Sequence, residues 1–158
     1  MLWSFCEIRP DLYEGAVRTK VKGIPFYIME TERERTMNIE KTRQYYEQLT
    51  EEDICDCAYC QNYVKEVKAA YPKLADYLDK QGIDVEKPFE AIPVGLTDGK
   101  MFYSGVQYVV LGQDDDFEET VIDEVNIFIT DSHPMTGLME DHFVIEIAPV
   151  YLRWSGEE

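Results

Sequence analysis

Positive charge is what this sequence has least of: 15 Lys and Arg stand against 32 Asp and Glu, for a net charge of −17. The shortage is steepest from Met101 onward, where 13 carboxylate side chains meet a single cation, Arg153, for a local balance of −12. A field of that sign repels phosphate backbones and anionic lipid heads, so neither direct nucleic-acid binding nor membrane binding is expected. It leaves a surface kept soluble by self-repulsion, or one that meets a basic protein partner. Long apolar runs are missing as well. None approaches the roughly 18 residues that cross a bilayer, and the opening MLWSFCEIRP has no basic stretch leading into an apolar core. A cytoplasmic setting is expected rather than export. A glycine-rich loop to cradle phosphate is also absent, since Gly95, Gly99, Gly105 and Gly112 fall in strand and turn positions.

What is present suffices for a core. At 158 residues, 45% of them hydrophobic, the chain reads as a single domain spanning 1–158 that folds without disulfide or metal support. Two strand-like runs, WSFCEI at 3–8 and GIPFYIM at 23–29, precede Asn38, an N-cap for a helix at 39–49 that places Ile39, Tyr46 and Leu49 on one side. Thr50 and Asp53 form a variant capping box that opens a second helix, at 51–71. Its seam runs Cys57, Cys60, Val64, Val67, Tyr71, and continues through Leu74 and Leu78 in a third helix, at 72–81, that starts on Pro72 and stops at Gly82.

From Pro88 the period changes to two. The run FEAIPVGL turns at TDGK into MFYSGVQYVVLG, a hairpin signal, and the acidic DDDFEE at 114–119 leads on to VIDEVNIFIT and HFVIEIAPVYLRW. Pro149 suits a strand edge or bulge. Together these predict an α+β fold: an antiparallel β-sheet from N-terminal and C-terminal strands, with two or three helices (about 39–49, 51–71 and 72–81) on one face.

Three of the four cysteines crowd into ICDCAYC at 54–60. In a cytosolic chain they are reduced thiols, which leaves packing, metal binding or reactivity. Cys57 and Cys60 continue the apolar seam and need no function to explain them. Cys55 lies about 200° from Cys57 on a helix and faces away from the pair unless the chain is unwound there. A zinc site needs that unwinding and a fourth ligand, for which Cys6, His133, His142 and Asp53 are the candidates. The metal candidates are therefore Cys55, Cys57, Cys60 and Cys6. The tetrapeptide CAYC at 57–60 resembles the active site of glutaredoxins, but that fold leads a buried strand into the motif, whereas YYEQLTEEDI precedes it here. The carboxylates of Glu51, Glu52, Asp53 and Asp56 also oppose thiolate charge.

No catalytic constellation emerges. DSHP at 131–134 places triad residue types side by side, where they cannot converge, and reads as a turn. His142 opens a strand. The acidic run lacks the spaced ligands and central Gly of a calcium loop. Tyr103, Tyr108, Phe102 and the Tyr151–Trp154 segment are either core or an aromatic groove, and 11 tyrosines against 7 phenylalanines favour a surface that keeps hydroxyls wet.

The segments DCAYCQNY at 56–63, YPKLADYLDKQGIDVEKP at 71–88 and GKMFYSGVQYVVLG at 99–112 resemble a family of small uncharacterised bacterial proteins with a Cys-x-Cys-x-x-Cys-Gln-Asn helix start. The resemblance implies a cytosolic bacterial domain and brings no activity with it. The leading expectation is a non-catalytic acidic binding or interaction domain with mainly structural cysteines. The alternative is a zinc-binding or thiol-active protein that uses Cys55, Cys57 and Cys60.

Overall fold

A computed structural model describes residues 36–155; Cys6 and the candidate strands at 3–8 and 23–29 lie outside the described residues. Among the described residues three α-helices precede a six-stranded antiparallel sheet, as the α+β expectation requires. Helix α1 (Ile39–Gln48) starts where Asn38 Oδ1 accepts the amide of Lys41 at 2.9 Å, a partner that a helix start otherwise lacks. Its other end is closed by Lys87, whose Nζ donates to the carbonyls of Tyr46 and Leu49 at 2.8 and 3.1 Å, a cation at the negative end of the helix. Ile39, expected inside, is 40% exposed, and the buried positions are Thr42 and Tyr46. Polar contacts set the helix against the sheet instead: Thr42 Oγ1 donates to Asn38 O and accepts the amide of Leu111 at 3.0 Å.

The second helix corrects the sequence reading. Glu51–Asp53 is a single 3₁₀ turn, Ile54 and Cys57 are extended, and helix α2 runs only from Ala58 to Ala70. The capping box forms as expected, with Thr50 N–H donating to Asp53 Oδ2 at 2.8 Å, but it closes on one short turn. Helix α3 (Pro72–Lys80) begins on its proline and ends at Gly82, as expected. At that end Gly82 N–H donates to Asp79 O and Ile83 N–H to Leu78 O, the paired bonds of a Schellman stop, with Gly82 at φ +89°. A Cβ on Gly82 would lie 2.6 Å from Ile39 O, so the stop also lets α1 approach.

The strands are β1 (Glu90–Thr97), β2 (Lys100–Leu111), β3 (Thr120–Ile122), β4 (Val125–Thr130), β5 (His142–Ala148) and β6 (Val150–Arg153), ordered β1-β2-β5-β4-β3. Pro149 divides β5 from β6, which pair with the upper and lower halves of β2. Asp98 and Gly99, both at positive φ, make the expected two-residue hairpin. VIDEVNIFIT is not one strand, because Asp123 and Glu124 at φ 54° and 68° turn β3 back onto β4.

Helices cover one face of the sheet. Along β2 the residues facing them are Met101 and Tyr103, then Val106, Tyr108 and Val110, the phase shifting at an irregularity in the β1–β2 pairing. Tyrosines of both layers correct the wet-surface reading: Tyr46 on α1, Tyr63 on α2, and Tyr103 and Tyr108 on β2 are at most 3% exposed. Phe102 and Tyr151 stack on the opposite face with ring centroids 4.9 Å apart, and Tyr151 is 41% exposed.

Candidate metal centre

The late start of α2 is what brings the cysteines together. Cys55 sits in extended chain, Cys57 is the N-cap at φ −71°, ψ 161°, and Cys60 lies in the first turn. Freed from the helical rotation that would part it from Cys57 by about 200°, Cys55 turns inward, and all three sulfurs lie within 4.8 Å of one another. Cys57 and Cys60 are 1% and 2% exposed, and Cys55 is half-buried. The sulfurs gather at the N-terminal end of α2, where the macrodipole favours negative charge.

The two residues after Cys60 hold this geometry, and the sequence reading gave neither of them a role. Gln61 Nε2 reaches back to Cys55 O at 2.9 Å and fixes the extended loop to the helix. Asn62, 4% exposed, donates to Arg153 O at 3.1 Å and accepts from Ser155 N–H and Oγ at 2.9 Å, tying α2 to the end of β6. Tyr103 donates to Tyr59 O at 2.7 Å. Burial raises its pKa above the usual tyrosine value; the Asn62 hydrogen bond opposes that rise, and the neighbouring Cys60 and Cys57 add to it. A neutral hydroxyl therefore stands beside the thiols. The sequence signal was available: two polar amides inside a stretch that otherwise faces the core.

The other candidate ligands are elsewhere. His133 Nδ1 lies 2.7 Å from Pro134 O, and His142 lies between Thr136 Oγ1 and Glu140 O. Asp53 is spent on the capping box, although it borders a cavity of about 20 Å³ that also touches Cys55, Cys60, Phe89 and Glu90. Such a space holds about one water. Among the described residues no fourth His, Cys, Asp or Glu joins the group, and Cys6 lies outside them. The DSHP segment is a loop in which Ser132 N–H donates to Thr130 Oγ1, not a triad.

Three convergent soft donors suit a thiophilic ion. Tetrahedral zinc with Zn–S near 2.3 Å places sulfurs about 3.8 Å apart, inside the 4.8 Å bound, so a small closing motion would let these three fill three of the four positions. No family model, no curated protein and no solved structure matches this chain. The site therefore carries the functional argument alone. Helix α1 and a 3₁₀ turn lead into CAYC, so the strand entry of a glutaredoxin is not formed by this segment. Among the described residues no helix is long and apolar enough to cross a membrane.

Proposed function

We propose that this chain is a zinc-binding domain in which Cys55, Cys57 and Cys60 hold the ion and Cys6 supplies the fourth thiolate, and that it works by binding rather than catalysis. The inward turn of Cys55 carries the reading. Packing accounts for Cys57 and Cys60 and in part for Cys55, which also borders the core, but the three sulfurs together supply the convergent soft donors that a thiophilic ion takes. Bound zinc would fasten the 54–57 loop to α2 by coordination. The exposed carboxylates from Asp114 to Asp141 favour a basic protein partner, in the cytoplasmic bacterial setting that the resemblance implies.

Elemental analysis of the full chain, purified without chelator, tests this. One zinc per chain is expected, lost in Cys55→Ser and weakened in Cys6→Ser. Metal-free protein with unchanged thermal stability on adding zinc would return the cysteines to packing. Thiol–disulfide exchange is the second reading, favoured by the CAYC spacing at the start of α2. It predicts metal-free protein in which mild oxidation links two of the three thiols.

A further inference from the structure

Among the described residues β3 ends the sheet and pairs with β4 alone. Such an edge offers a row of backbone donors and acceptors to a further strand. Val121, at its centre, is 58% exposed. On the face away from the helices, Val121, Asn126 and Ala148 lie directly opposite one another across β3, β4 and β5. With Phe128, Pro149 and Glu119 they line an open groove of about 550 Å³. Charge selects what can enter. Residues 114–124 carry seven carboxylates and no cation, so the β3 of a second copy is repelled and a basic strand attracted.

The chain supplies a basic strand at this place. Gln113 N–H donates to Thr36 O and Met37 N–H to Asp116 Oδ1, both at 3.1 Å, so residues 1–35 join the described chain beside the acidic run that leads into β3. Within them VRTKVK at 17–22 alternates strictly: Val17, Thr19 and Val21 fall on one face of a strand, Arg18, Lys20 and Lys22 on the other. Fourteen residues lead from Lys22 to Thr36, a reach of up to about 46 Å, whereas Thr120 is only four residues from Asp116. The neighbouring run GIPFYIM at 23–29 has no charge to answer the carboxylates, and its Pro25 removes a ladder donor.

We propose that residues 17–22 add to the outer edge of β3 as a further strand, with Val17 and Val21 covering Val121 and the groove. Arg18, Lys20 and Lys22 then turn to the helix side of the sheet. Glu118 is there to meet them: burial and the charge of Glu118 together raise the pKa of Tyr77 on α3, which places that carboxylate on the helix side.

NMR on the isotope-labelled full chain tests this. Cross-strand NOEs should join residues 17–22 to Thr120–Ile122. Reversing the three charges together, Arg18→Glu, Lys20→Glu and Lys22→Glu, should abolish those contacts and speed the exchange of at least one β3 amide tenfold or more. Unchanged exchange in β2 and β5 checks that this variant folds, and Arg18→Lys, which keeps the charge, should leave contacts and exchange as they were. The contacts in the unsubstituted chain decide the matter even if the triple variant does not fold. The proposal is overturned by their absence, by NOEs to β3 from residues 23–29 instead, or by contacts that survive charge reversal. Contacts seen only between differently labelled molecules in a mixed sample overturn it too, because they give the edge to a second copy.

Discussion

On the helix side of the sheet the buried tyrosine hydroxyls each have an acceptor: Tyr46 donates to Val109 O, Tyr108 to Val85 O, and Tyr63 to Tyr108, while Trp154 Nε1 is buried there without a partner. On the other side the buried polar groups are an amide between two carboxylates, with one oxygen left over. The difference follows from what covers each face. Packing of helix, strand and loop side by side puts each of these hydroxyls within reach of a neutral acceptor. The other face lies partly under the irregular 131–141 segment, whose Met135 and Leu138 are buried or half-buried and whose Ser132 carbonyl takes the Gln107 amide. There the polar groups are an amide and carboxyl side chains.

The largest expected effect separates the faces by pH. Burial raises the pKa of Tyr46, Tyr63 and Tyr108 above the ordinary value of 10.0. The unfolded chain loses these protons above pH 10 while the folded chain keeps them, so their contribution is intact below pH 10 and declines above it. Three such groups cost about 4 kcal/mol per pH unit once the unfolded tyrosines are ionised. Denaturant unfolding followed by circular dichroism between pH 9 and 11.5 should show that decline, and a flat profile would remove the contrast. Tyr108→Phe comes next. It orphans Val85 O and removes the acceptor of Tyr63, for a loss of about 2 kcal/mol by urea titration. On the opposite face, Gly105→Ala pushes the Glu146 carboxylate aside and should cost about 1 kcal/mol, most of it recovered when Glu146→Ser is added. The smallest effect is a gain: Glu124→Gly relieves a left-handed glutamate and should raise stability by about 0.5 kcal/mol in the same assay.

Local signals were the legible ones. Asn38, Pro72, Gly82 and Asp98–Gly99 act through backbone chemistry within a few residues, and each does what its sequence context implies, whereas the Thr50–Asp53 box forms but closes one 3₁₀ turn instead of opening a helix. The β3–β4 turn was missed because Asp123–Glu124 lacks the glycine that advertises positive φ. The helix seam was right in outline but turned slightly: Tyr63 is buried and Val64 half-buried, and Asn62 enters the core because the end of β6 supplies partners for its amide.

The candidate site divides along the same line. Sequence alone determined that three thiols lie within six residues, that two belong to an apolar seam, and that Cys55 turns on whether the helix has begun. Only the tertiary structure decided where α2 begins, because local bonds, a capping box that closes on one turn and Gln61 holding Cys55 O, act together with long-range ones, Asn62 and Tyr103 binding the first turn to the sheet. Helix propensity at Ile54–Cys57 is too weak a preference to outweigh those bonds, and their combined effect is to point the third sulfur inward.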